Sequence, residues 1–361
     1  MPTVPATVPT DQAALRTVVE AALDRFLARQ RDRLADIDAD LAPVAAALRD
    51  FVLNGGKRLR PAFAYWGHRG AGGAHSDQLV GAVASLELLQ ACALIHDDVM
   101  DASDTRRGEP AVHRRFAGLH AARDWTGDPD AFGTGAAILL GDLCLGWSAE
   151  MYDASGLPPA VLAAARREYD LMRTEVMAGQ YLDLLAQADV RHSSRERAGK
   201  VARYKSAKYT VERPLLLGGR LAGATPDVLA AYSAYGLPLG EAFQLRDDVL
   251  GVFGDPSSTG KPAGDDLREG KRTYLVAAAY ETATPTGRAL LDARLGDRAL
   301  TAAGVAELRS LIIDTGALSD TESRIATLTA AALDALTGAA IEPAAAEVLT
   351  RLAAAATNRA F

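Results

Sequence analysis

Apolar residues recur at helical spacing along nearly the whole chain, and no stretch shows the strict alternation of a half-buried strand. Near the start, Leu15, Val18, Val19, Ala22 and Phe26 fall on one helix face. Asp40 to Leu53 reads as a second helix, stopped by Asn54, Gly55 and Gly56, where glycine supplies a left-handed cap. A third helix begins near Pro61. Ser76 to about Met100 is long and apolar, and Pro158 and Pro159 open another long helix that reaches about Ala188. Gly127 to Thr134 reads as a loop before a buried helix holding Ile138 to Trp147. His192 to Ser194 reads as a turn, Asp255 to Gly264 as a mobile loop, and Thr286 to Phe361 as an alanine-rich helical tail. No Gly/Ser linker divides the chain. The expectation is an all-α fold, one large helical bundle domain over residues 11–361, after a disordered N-terminal segment at 1–10.

Of the 361 residues, 49% are hydrophobic and 24% charged, a balance that can bury a sizeable core. A net charge of -7 excludes a chain-wide basic footprint for nucleic acid. Cys92 and Cys144 lie in apolar helical stretches and read as buried small hydrophobes rather than a disulfide. Met1 to Thr10 has neither the basic start nor the apolar run of a signal peptide. The apolar stretch from Ala136 to Trp147 is cut by Asp142, so no transmembrane segment is expected and a cytoplasmic, soluble protein is the default.

The chemistry concentrates at two helix ends. His96-Asp97-Asp98-Val99-Met100-Asp101 closes the almost wholly apolar run from Leu86 to Ile95. Asp97 and Asp101 are four apart and share one face, about one turn from each other. Carboxylates gain nothing from the negative end of a helix, so the placement points to a compensating cation. Two such groups suit magnesium, which takes a few carboxylate oxygens together with phosphate oxygens and water. Arg106 and Arg107 follow at once, and arginine forks match phosphate oxygens; surface ion pairs to Asp101 and Asp104 are the blander reading. Gln244-Leu245-Arg246-Asp247-Asp248 repeats the theme at the end of a second apolar helix. Gly251 stands where a third acid would complete the pattern, and Asp255 follows one turn later. Two acidic helix ends around one diphosphate would assist ionisation of a leaving group. Gly55-Gly56-Lys57-Arg58-Leu59-Arg60-Pro61 places three cations beside a glycine turn whose amides can approach an anion. Lys205 and Tyr209 share one face, and Lys261 and Lys271 lie in or just after the loop at 255–264, which suits closure over a phosphate.

In this order, Gly-Gly-Lys-Arg-x-Arg-Pro, Asp-Asp-x-x-Asp with its Arg-Arg-Gly, and Gln-x-x-Asp-Asp resemble the trans-isoprenyl diphosphate synthase, or polyprenyl synthetase, family, from about Ala45 to Lys271. The resemblance is greatest to bacterial geranylgeranyl diphosphate synthases. It implies an isoprenoid synthase fold with a central catalytic cavity, and a prenyltransferase that condenses isopentenyl diphosphate with an allylic diphosphate. By the same resemblance, Asp97 and Asp101 would ligate magnesium, with Asp98 supporting, and Asp247 would ligate a further ion, assisted by Asp248, for about three ions per site. Arg106, Lys205 and Lys261 would hold the allylic diphosphate. Lys57, Arg60, Gln90 and Arg107 would hold isopentenyl diphosphate. Ser206 and Gln244 would offer oxygen atoms to the developing cation, and Lys271 would help close the site. The released diphosphate would take the final proton. The family also implies a homodimer.

Gly251 departs from the family, which often has Asp there, and Asp255 is a candidate replacement. Product length is read from the helix that carries the first motif. Ala93 lies about one turn below Asp97, Leu89 about two, and Cys92 beside them. Small residues at 92 and 93 leave a pocket open beyond farnesyl, toward geranylgeranyl diphosphate; Met172 and Val176 are alternative floors. A farnesyl or longer product, a class I terpene cyclase and a non-catalytic partner subunit are the rival readings. The cyclase would have no use for Lys57, Arg60, Gln90 and Arg107, and the partner subunit no use for intact acidic clusters.

Overall fold

A computed structural model describes residues 8–189, 194–255 and 264–357. The expectations for residues 1–7, for His192 and for the loop that follows Asp255 lie outside these residues. In chain order the helices are α1 (Gln12–Ile37), α2 (Ala42–Leu53), α3 (Leu59–Gly70), α4 (Asp77–Met100), α5 (Val112–Ala122), α6 (Pro129–Asp153), α7 (Pro159–Ala188) and α8 (Arg195–Val201). A π-helical segment, Ala202–Glu212, leads into α9 (Arg213–Leu221). There follow α10 (Pro226–Phe253), α11 (Asp265–Glu269), α12 (Tyr274–Thr282), α13 (Pro285–Arg294), α14 (Ala302–Asp314), α15 (Ala317–Leu336) and α16 (Pro343–Thr357). The fold is all-α. The strands among the described residues are one two-residue hairpin, β1 (Thr105–Arg106) against β2 (Glu109–Pro110), too short for an alternating pattern to announce.

Capping explains where the helices start. Asp11 accepts a hydrogen bond from the Ala14 amide at 2.9 Å, and Ser76 accepts one from the Leu79 amide at 3.1 Å, opening α1 and α4. Asp128 caps α6, with Pro129 in its first turn, where a missing N–H costs nothing. That helix therefore begins well before Ile138.

The chain forms two compact units. The first comprises Met1–Arg167, Pro214–Thr225 and Glu342–Val348. In it α4 packs along α6, and α5 packs on α6. Leu86, Leu88, Leu89, Cys92 and Ile95 of α4 are buried. Contrary to the expectation of a buried helix, Ile138 and Leu139 of α6 are 45% and 64% exposed, because α4 and α5 cover only part of its circumference. By length and composition α4 and α6 could each cross a membrane, but 72% of the most apolar window of α4 is buried inside the protein, as in a core helix.

The second unit comprises Glu168–Arg213, Pro226–Ile341 and Leu349–Phe361. Its core joins Leu245, Val249 and Val252 of α10 to Leu275 and Ala279 of α12, Ile312 of α14 and Ile325 of α15. Those α10 positions step by four and three, so one stripe faces inward. The Arg246 guanidinium donates to both carboxylate oxygens of Glu322 on α15, at 2.6 and 2.7 Å, and fixes the rotation of α10.

Candidate active site

In the first unit, α4 ends on the Asp97–Asp101 cluster. Asp98 is fully buried, and the Nε of Arg106 donates to it at 2.9 and 3.2 Å. The Nη2 of Arg106 donates to Asp98 Oδ1 and lies 3.4 Å from Asp97 Oδ2. Asp101 is buried and Asp97 half-buried. The hairpin thus returns Arg106 onto the cluster, where it engages Asp98 and Asp97. Asp104 instead takes Arg114 of α5 at 2.8 Å.

The turn between α2 and α3 is a bare platform. Gly55 and Gly56 have φ of 82° and 91°, a region where glycine carries no Cβ penalty. The Arg107 side chain lies across both, with its Cδ and Nη2 at 3.2 and 3.3 Å from where their Cβ atoms would be. Arg107 Nη1 donates to the Asn54 carbonyl at 2.7 Å. Among the described residues no carboxylate pairs with Arg107. Burial of the guanidinium against the loop, and Arg58 beside it, lower its pKa below the ordinary arginine value, although much of the side chain stays open to solvent. An arginine held on carbonyls without a counter-ion is suited to an anionic ligand. Lys57 is exposed, and Arg60 is half-buried in the first turn of α3. Gln90 of α4 is half-buried, and its Oε1 is buried without a hydrogen bond among the described residues. Of the three cations in the glycine motif, Arg58 turns away: it is 3% exposed and donates to Glu87 Oε2 at 2.8 Å.

The pocket residues separate. Leu89 and Cys92 are 1% and 3% exposed, whereas Ala93 is half-buried. Cys92 and Cys144 are both free and buried. Burial pushes the Cys92 thiol up to about 12, so it is an inert hydrophobe. In the second unit, Met172 and Val176 of α7 are 0% and 8% exposed.

Also in the second unit, the end of α10 gathers carboxylates. Gln244 Nε2 donates to Asp248 Oδ1 at 2.8 Å. Asp248 is buried, and burial pushes its pKa up to about 8, against the Gln244 hydrogen bond and with the charges of Asp266, Asp247 and Asp183. The Asp266 carboxylate of α11 occupies the space that a Cβ on Gly251 would need. Asp255 is exposed. Lys271 Nζ lies 2.7 Å from Glu269 and 3.9 Å from Asp266. Lys205 sits in the π-helical segment and donates to Asp183 of α7 at 2.7 Å. The backbone of Lys205 presses on Gly179 of α7, where any Cβ would collide. Ser206 is buried beside it. π-Turns recur at functional positions because the extra residue per turn re-aims side chains. Lys261 lies outside the described residues.

Asp183 and Asp266 were not singled out from the sequence. Asp183 had one weak signal, an acid inside the apolar stretch Tyr181–Ala186. Asp266 had none, since its place depends on the missing side chain at Gly251. Among the described residues no three His, Cys, Asp or Glu side chains form a ready-made metal site.

The family model for polyprenyl synthetases matches residues 42–312. The chain belongs to the polyprenyl synthetase family. Like other polyprenyl synthetases it is an isoprenyl diphosphate synthase, a prenyltransferase. It is similar to geranylgeranyl pyrophosphate synthase from Corynebacterium glutamicum, solved in complex with isoprenyl diphosphate and magnesium: 43% identity, TM-score 0.94, 97% of this chain and 100% of that one covered. It is 32% identical over 267 residues to a short chain isoprenyl diphosphate synthase from Methanothermobacter thermautotrophicus, covering 73% of this chain and 76% of that protein. It is 35% identical over 242 residues to a (2E,6E)-farnesyl diphosphate synthase from Mycobacterium bovis, covering 66% of this chain and 60% of that protein. These relatives differ in product, so membership in the polyprenyl synthetases gives the reaction but not the product length.

Proposed function

We propose that this synthase joins isopentenyl diphosphate to an allylic diphosphate with magnesium as its resident ion, and that its product is geranylgeranyl diphosphate. The observation that carries the reading is the Arg107 guanidinium laid on the Gly55-Gly56 platform without a carboxylate partner among the described residues. A cyclase, which takes one diphosphate, has no use for such a cradle. With Lys57, Arg60 and the unmatched Oε1 of Gln90, it would hold the isopentenyl substrate.

Each acidic helix end fits magnesium by itself: Asp97 and Asp101 with Asp98 in support, and Asp247 with Asp248, offer hard oxygens in ones and twos, as expected when substrate phosphates complete the shell. When bound, the metal supplies charge neutralisation for the departing diphosphate. Arg106, steered by Asp98, and Lys205, steered by Asp183, would grip the allylic diphosphate with preorganised charge. Gln244 gives its Nε2 to Asp248, so its Oε1 is the atom left to stabilise a cation, together with Ser206. The apolar walls would keep water from that cation.

For product length, the half-buried Ala93 is the small residue on the motif-bearing helix that stays accessible to a growing tail. A cytoplasmic homodimer completes the reading. The exposed Trp125, Phe132, Ile138 and Leu139 give the first unit an apolar face that supports it.

The test is incubation of pure protein with magnesium, labelled isopentenyl diphosphate and each allylic primer, followed by sizing of the dephosphorylated products. A twenty-carbon product supports the whole reading. A product that stops at farnesyl with every primer removes the length assignment and leaves the chemistry. No incorporation with any primer, from folded protein, defeats the reading.

A further inference from the structure

Arg58 stands inside the basic motif yet does not face its anion. Its φ is 51°, a left-handed conformation that residues with a Cβ seldom adopt. Its guanidinium is held at three points: Nη1 donates to Glu87 Oε2 at 2.8 Å, Nε to Glu20 Oε1 at 3.3 Å, and Nη2 to the Leu53 carbonyl at 3.2 Å. The side chains of Arg58 and Glu87 are 2% and 5% exposed. These contacts bind the turn to the end of α2, to α1 and to α4. Arg58 Nη1 also lies 3.3 Å from the position a Cβ on Gly56 would take, the same point that Arg107 Nη2 approaches to 3.3 Å. Its main-chain carbonyl accepts from the Ala62 amide at 3.1 Å, which starts α3.

The location of Glu87 gives this anchor its meaning. Glu87 is three residues before Gln90 on α4, so the two share a face one turn apart. The Arg58–Glu87 pair therefore sets how far the turn bearing Lys57 and Arg60, and Arg107 above it, stands from Gln90. The strained left-handed residue persists because the buried pair and its neighbours over-determine it. A residue that merely supplied positive charge would not be withdrawn from solvent onto two carboxylates.

We propose that Arg58 is a positioning residue for the isopentenyl diphosphate cradle: through Glu87 it locks the glycine turn to α4 so that Lys57, Arg60, Arg107 and Gln90 converge on one diphosphate. This rests on the reading that the turn receives isopentenyl diphosphate.

The test uses Arg58→Asn, Arg58→Lys and Glu87→Gln. Asparagine tolerates the left-handed backbone and removes the anchor, lysine keeps the charge without the fork, and Glu87→Gln keeps the shape without the charge. Thermal melts establish folding, and Arg58→Lys with Glu87→Gln carry the test if Arg58→Asn does not fold. Binding of isopentenyl diphosphate alone is measured by calorimetry, and KM for each substrate and kcat are measured in turnover. The expected result is a rise of about tenfold in Kd and KM for isopentenyl diphosphate in Arg58→Asn and Glu87→Gln. Arg58→Lys should fall between, with kcat and the allylic KM within about twofold of wild type. Folded variants that bind isopentenyl diphosphate as wild type does, or that lose kcat and both affinities together, overturn the inference alone. A wild-type protein that neither binds nor turns over isopentenyl diphosphate overturns the proposed function and the inference with it.

Discussion

The carboxylate of Asp266 fills the place that a side chain on Gly251 would occupy. The second acidic motif is thus short of a carboxylate in sequence, while an acid from α11, fifteen positions on, is turned toward the same spot in space. Asp255, the replacement suggested by spacing along the helix, is exposed.

Gly251→Ala should therefore be coupled to Asp266. Alanine improves helix propensity by about 1 kcal/mol, but here it must displace the Asp266 carboxylate. Denaturant unfolding of wild type, Gly251→Ala, Asp266→Gly and the double variant should show a coupling of about 1 kcal/mol, with Gly251→Ala better tolerated once Asp266 is gone. Strict additivity would show that the two residues do not share this space.

Metal-free protein should lose stability as pH rises from the acid range toward 8. Asp248 has its pKa raised from 3.8 to about 8 by burial, with Asp266, Asp247 and Asp183 adding to the shift. Over that window the folded state holds a proton that the unfolded state has released. The contribution is complete below the unfolded value and is lost as pH climbs through the folded one. Unfolding midpoints in chelator at pH 5, 6, 7 and 8 should fall for wild type, and Asp248→Asn should flatten the trend.

Arg106→Ala should be costly beyond its effect on substrate. It strips the Arg106 guanidinium from Asp98, which has no exposed side-chain surface, and breaking a buried pair costs about 3–5 kcal/mol. Chemical denaturation should show this loss, and Arg106→Ala combined with Asp98→Asn should recover part of it. Equal stability for Arg106→Ala and wild type would mean that the pair does not anchor the hairpin.

Ala93→Phe and Cys92→Phe should part company. Ala93 is half-buried, so phenylalanine there should fold and shorten the product. Cys92 is 3% exposed in the packed interior, and the larger ring should cost about 1–3 kcal/mol of stability through overpacking. Melting curves and product sizing for both variants decide it; a shorter product from a fully stable Cys92→Phe would move the pocket wall to that side of α4.

Periodicity alone specified an all-α chain, because helical spacing and caps such as Asp11 and Ser76 are local properties. The acidic helix ends, the glycine turn and the Arg-Arg pair were equally legible, since each is a short run whose residue types carry their chemistry with them. The sequence did not reveal which cation of Lys57-Arg58-Leu59-Arg60 faces inward, because that depends on Glu20 and Glu87, which lie far from the motif in the chain. Nor did it reveal that Asp98 holds Arg106, that Asp183 holds Lys205, or that Asp266 enters beside Gly251. Ion pairs and occupied volume are set by elements distant in sequence, and only the packed helices bring those partners within a few ångströms. The chain alone determined the residue types and their periods; tertiary structure decided which charges are spent on one another and which are kept for a ligand.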